Sequence, residues 1–73
     1  MEMEIKFWNS STVLSTEYDV EKEILRVEFK NGTIYEYYKF PKDKWDILTE
    51  AESIGKYLNT YVKGAYDYKK VSQ

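Results

Sequence analysis

Leu25-Arg26-Val27-Glu28-Phe29-Lys30-Asn31-Gly32-Thr33-Ile34-Tyr35-Glu36-Tyr37-Tyr38 reads as two alternating strands around Asn31-Gly32, the strongest short-range hairpin signal a sequence carries. Its register decides which aromatics are buried. A two-residue turn at Asn31-Gly32 sets Phe29 across from Ile34 and puts Glu36 on the face of Leu25, Val27 and Phe29. A three-residue loop, Lys30-Asn31-Gly32 with Gly32 left-handed, sets Phe29 across from Thr33. Tyr35 and Tyr37 then share the face of Val27 and Leu25. A slip of one residue exchanges core and solvent faces throughout. The second register is expected, because it keeps a carboxylate off the apolar face and puts glycine where positive φ costs nothing.

Working outward, Ile5-Lys6-Phe7-Trp8 alternates and reads as an edge strand or as an arm packing on a neighbouring subunit. Asn9-Ser10-Ser11 is turn chemistry, and Thr12 to Asp19 is a β-branched strand. Pro41 suits the first position of a helix, followed by a stripe of Trp45, Leu48 and Ala51 with Ile47 alongside. Ser53 reads as a second N-cap. Beyond it Ile54, Tyr57, Leu58, Tyr61, Val62 and Ala65 follow an amphipathic helical period, ended by Gly64. The expected class is α+β: a small antiparallel meander of three strands, with a fourth from the N-terminus, then two helices on one face. The expected organisation is an arm or edge strand over residues 1–9, a domain over 10–68 and a polar tail over 69–73, with Tyr66-Asp67-Tyr68-Lys69-Lys70 read as polar and loose.

With 73 residues the core is thin, and domains of this size commonly rely on disulfides, metals or self-association. The chain has no Cys and no His, which excludes disulfides, Cys/His zinc sites and histidine acid–base catalysis. Homo-oligomerisation is therefore expected, and no metal or other cofactor. No apolar run approaches the roughly 18 residues of a membrane span, and the acidic start is unlike a secretory leader. A soluble, cytoplasmic protein without a membrane partner is expected. The net charge of −2 argues against a dedicated binder of long nucleic acid. Charge is uneven, however, with eight acids and four bases through Glu36, then five acids and seven bases from Tyr37. A small anion has a basic half to find.

Three features carry candidate function. In Ser53-Ile54-Gly55-Lys56, a lysine in a first helical turn opposes the helix dipole by about 0.3–1 kcal/mol. A phosphate on the free amides reverses that sign, with Gly55 allowing close approach and Lys56 supplying charge. The alternative is an ordinary cap beside a solvated lysine. Asn59 and Lys63 extend this face, as phosphate and base-edge contacts or as solvated side chains. Eight Tyr, two Trp and three Phe exceed what so thin a core encloses. Spare rings stack on bases at about 1–3 kcal/mol each or seal subunit contacts. Tyr35, Tyr37, Tyr57 and Trp8 are the candidates, with Tyr35 and Tyr37 read as core or interface first. Asp19, Glu36 and Glu52 form no dyad, and Ser10, Ser11 and Ser53 lack a base to activate them, so no enzyme is expected.

Ser10-Ser11, Tyr18-Asp19, Leu25-x-Val27-x-Phe29-x-x-Gly32, Tyr35-x-Tyr37, Pro41 and Ala51-x-Ser53-x-Gly55-Lys56-Tyr57-x-Asn59 together resemble the KTSC domain. That family is named for its place at the C-terminus of some lysyl-tRNA synthetases and also occurs as a stand-alone bacterial and phage protein. The resemblance spans roughly Ser10 to Tyr66 and implies a small α+β fold, with RNA binding as a suggested role. It departs at Val62-Lys63, where the family often has Ile-Arg, and lysine lacks the bidentate fork of arginine. The expected function is a non-catalytic, oligomeric nucleotide-binding module that sequesters a cyclic mono- or dinucleotide signal, as a phage protein countering a bacterial immune messenger would. RNA or tRNA binding and a protein–protein adaptor are the alternatives.

Overall fold

The computed structural model describes residues 2–71. It has strands β1 (Met3–Phe7), β2 (Val13–Asp19), β3 (Ile24–Phe29) and β4 (Ile34–Tyr37), helices α1 (Lys42–Leu48) and α2 (Ile54–Tyr57), and a final strand β5 (Tyr68–Lys70). The strands form one antiparallel sheet in sequence order. The α+β class holds, but the sheet has five strands rather than three or four.

The central hairpin adopts the expected three-residue loop. Leu25 pairs with Tyr37 and Val27 with Tyr35. The Phe29 amide donates to the Thr33 carbonyl at 2.8 Å and the Gly32 amide to the Phe29 carbonyl at 2.9 Å. Gly32 sits at φ 92°. Glu36 accordingly lies on the outer face, where Arg26 stands 3.8 Å from it and 4.0 Å from Glu17.

One terminal segment departs from the sequence reading and the other takes one of its two alternatives. Residues 68–70 are a strand rather than a loose tail: Gly64, at φ 81°, ends the helical segment, and the chain returns along the open edge of β4. There Tyr68 meets Tyr37 and Lys69 meets Glu36. A three-residue polar strand carries no alternation from which to predict it. Ser72 and Gln73 of the expected tail lie outside the described residues. At the other end, Met3–Phe7 pairs with β2 of its own sheet, the edge-strand alternative.

Tyr18 is the centre of the core. Its ring stacks on Trp45 with centroids 5.5 Å apart and planes 12° apart, and meets Phe40 edge-on at 6.2 Å. Its hydroxyl donates to the Phe40 carbonyl at 2.5 Å. The Trp45 indole N–H donates to the Glu4 carboxylate at 2.7 Å, tying α1 to β1. Pro41 caps α1 in an extended conformation, one position before the helix it was expected to open. Trp45 and Leu48 point inward while Ile47 is exposed. Seven residues turn only one such face toward the sheet.

The second helical segment is not uniformly α. Ser53 caps α2, its hydroxyl accepting from the Lys56 amide at 3.4 Å. Over Leu58–Val62 the helix widens to a π turn, with the Lys63 amide bonded to the carbonyl five residues back, Leu58, at 2.8 Å. Ile54, Leu58 and Val62 are buried, while Tyr61 and Ala65, which an α period would turn inward, are exposed.

Burial raises the hydroxyl pKa of both Tyr18 and Tyr37; nearby Glu23 adds to the first and Tyr35 to the second. The unfolded chain therefore loses these protons at lower pH than the folded one. Their contribution is complete below the ordinary tyrosine value of about 10 and is lost as pH climbs through the folded values. Urea midpoints are expected to fall above that pH, and Tyr18→Phe is expected to flatten the fall. A midpoint independent of alkali would contradict this.

Candidate nucleotide-binding site

A depression of about 610 Å³ opens between the β3–β4 loop, the β1–β2 loop and the π turn. The loops are fixed to each other by the Lys30 amide, which donates to the Thr12 carbonyl at 2.8 Å. The Ser10 hydroxyl accepts from the amides of Thr12 and Val13, both at 3.2 Å, and sets the entry to β2. Asn31 accepts from the Thr33 amide at 2.9 Å, which shapes the hairpin tip. Phe29, Tyr37 and Leu58 supply apolar surface; Ser11, Thr12, Asn31 and Asn59 supply hydroxyls and amides; Lys30 and Lys63 supply charge. No carboxylate is among these lining residues, in a chain with more acids than bases.

Of the residues singled out from sequence, Gly55, Asn59, Lys63 and Tyr37 line this depression. Gly55, Asn59 and Lys63 lie at i, i+4 and i+8 along the helical segment, which the wider π turn keeps on one side, and Tyr37 comes from β4; π turns recur at functional sites. A Cβ at Gly55 would stand 3.6 Å from Thr12 Oγ1, an ordinary van der Waals contact, so the helix-on-loop packing accommodates alanine there.

Ser53 and Lys56 are elsewhere. They border a separate hollow with Ala51, Tyr57, Thr60 and Tyr61, so the expected Lys56, Asn59 and Lys63 face is not assembled. The Ser53 hydroxyl is already the cap acceptor. Trp8 is half-buried, its indole N–H bonded to Thr16 Oγ1 at 2.9 Å and its ring covered by the Lys6 ammonium at 4.7 Å from the centroid. Tyr35 meets Phe29 edge-on at 6.0 Å and Tyr68 at 5.8 Å. Tyr57 pairs with Tyr61 at 5.0 Å, and burial raises its pKa, with Tyr66 and Tyr61 adding.

None of Ser11, Thr12, Phe29, Lys30, Asn31 and Leu58 is assigned to a binding site by the sequence pattern, although all line the depression. The hairpin signal places Lys30 and Asn31 at a loop tip, but nothing in a linear pattern brings that tip beside the last helix. Among the described residues, no group of three acidic side chains converges as a metal site would require.

A family model for the KTSC domain matches residues 9–71. The chain belongs to the KTSC domain family. The crystal structure of a KTSC domain protein from Yersinia pestis superposes with a TM-score of 0.86 at 27% identity, covering 96% of this chain and 99% of that one. A protein of Stutzerimonas stutzeri is 41% identical over 54 residues, 74% of this chain and 76% of its own. A lysine–tRNA ligase of Nostoc punctiforme is 31% identical over 62 residues, 85% of this chain. This KTSC domain spans only 11% of that ligase's length. Every residue lining the depression falls inside the matched span, whereas β1 precedes it.

Proposed function

We propose that this KTSC domain is a non-catalytic module that holds a small nucleotide in the depression between the hairpin tip and the π turn. Its most concrete role is sequestering a cyclic mono- or dinucleotide; in a phage, that would withdraw an immune messenger from the host. The observation that carries the reading is the lining itself: Lys30 and Lys63, no carboxylate, and the partly buried Phe29 ring as an aromatic wall, with the core residue Tyr37 closing the floor behind it. Lysines meet phosphate, aromatic faces meet bases, and the Asn31 and Asn59 amides suit base edges. The volume lies within the roughly 300–1,000 Å³ usual for small-ligand sites. The lining hydroxyls of Ser11 and Thr12 have no histidine to make either a nucleophile, so retention rather than turnover is the expected outcome.

Calorimetry against a panel of cyclic mono- and dinucleotides is expected to give saturable heat with at least one, and the ligand is expected to be recovered unchanged. No heat from any member, with folded protein, overturns the reading. The likeness to a segment of lysine–tRNA ligases favours RNA as the second reading. Single-stranded RNA contacts lose affinity with a log–log salt slope of about −0.7 per phosphate neutralised. Two rim lysines limit that slope for a small ligand, whereas an RNA track would be steeper. Measuring binding at two salt concentrations separates the two.

A further inference from the structure

β1 is one free edge of the sheet, and we propose that it pairs antiparallel with β1 of a second copy about a two-fold axis through Ile5, joining two five-stranded sheets into one. The backbone parity permits this. The Trp8 amide donates to the Leu14 carbonyl at 3.1 Å and the Val20 amide to the Glu2 carbonyl at 3.2 Å. The even-numbered residues therefore bond to β2, and antiparallel alternation turns the N–H and C=O groups of Met3, Ile5 and Phe7 outward.

The side chains fit as well. About Ile5, Met3 meets Phe7 of the second copy, and Glu4 meets Lys6 twice, once on each side of the axis. Opposite charges directly across a ladder stabilise it and like charges oppose it. A slip of two residues one way sets Lys6 against Lys6, and the other way sets Glu4 against Glu4 although Lys6 then meets Glu2; only the register about Ile5 pairs opposite charges with no like pair. Both groups retain capacity. The Glu4 carboxylate, its side chain 43% exposed, accepts from Trp45 through one oxygen and has Lys42 3.8 Å from the other, a loose contact that leaves lone pairs for a second cation. The Lys6 ammonium spends one donor on the Thr49 carbonyl at 2.9 Å and has two more. Met3, Ile5 and Phe7 are 56%, 50% and 69% exposed, an apolar stripe along an unguarded edge. The opposite edge differs: β5 has three residues, two of them lysine, the usual protection against edge pairing. No residue lining the depression lies on β1, so a dimer keeps both sites.

Sedimentation equilibrium is expected to show a monomer–dimer equilibrium in the micromolar range, and Ile5→Pro is expected to leave a monomer. Proline is tolerated where an edge N–H faces solvent, so circular dichroism should be retained. Because the chain has no cysteine, single-cysteine variants report the register. Oxidised Ile5→Cys should cross-link to itself. Met3→Cys should cross-link to Phe7→Cys but not to itself, and Lys44→Cys to neither. A monomer at every concentration, a dimer indifferent to Ile5→Pro while folded, or Met3→Cys joining itself as readily as Phe7→Cys would each overturn the proposal. Should Ile5→Pro not fold, the cross-link pattern alone decides.

Discussion

Trp45→Ala is expected to destabilise this domain by about 3–5 kcal/mol, the usual cost of removing a large buried ring. At roughly 0.05–0.15 kcal/mol per residue, that is a large fraction of everything holding so short a chain folded. Trp45 is 2% exposed and stacks on Tyr18, so its removal opens a cavity beside the residue around which the core is arranged. It also removes the indole donor to Glu4. That part of the loss is small, because the Glu4 carboxylate is 43% exposed and stays solvated. Packing therefore dominates, and Trp45→Phe should recover more than half of the loss. Ile47→Ala, two positions along the same helix but exposed, should stay within about 0.5 kcal/mol. Urea unfolding of the three variants checks this. Equal midpoints for Trp45→Ala and Ile47→Ala would mean that the stack contributes nothing.

The contrast between these two residues marks where a linear reading stops. Trp45 and Leu48, three apart, announce an inward stripe; Ile47 is as apolar, and only the docked angle of a two-turn helix leaves it outside. The hairpin register was legible because Asn31-Gly32 confines the turn and Glu36 penalises the wrong face, so local and tertiary preferences agree. β5 was not legible, because its partner edge rather than its own composition makes it a strand. In the last helix the i, i+4, i+8 series Ile54, Leu58, Val62 is consistent with α and π geometry alike. Which geometry forms decides whether Lys56 or Gly55 joins Asn59 and Lys63. Half of the depression comes from loops separated in sequence from that helix by more than twenty residues, and no periodicity reports such a meeting.

Which lysines face the ligand has the largest consequence for the proposed binding. Lys63→Glu is expected to weaken affinity for a cyclic nucleotide by about 10–100-fold, the equivalent of losing a charged hydrogen bond worth about 1.5–3 kcal/mol. Lys30→Glu should act in the same direction. Lys56→Glu should change affinity less than about twofold, because Lys56 borders another hollow and its charge reaches the depression only through solvent. All three lysines are exposed, so stability should hold within about 0.5 kcal/mol, and urea midpoints guard against misreading an unfolded variant as a non-binder. Calorimetry on the three variants then discriminates between two geometries. Loss confined to Lys63→Glu and Lys30→Glu locates the phosphate between the hairpin tip and the π turn. Loss confined to Lys56→Glu would instead locate it at the start of α2. In that case the hydroxyl of Ser53 would have to exchange its bond with the Lys56 amide for one to the ligand, and the Phe29 ring, which lines the other depression, would be out of reach of the base.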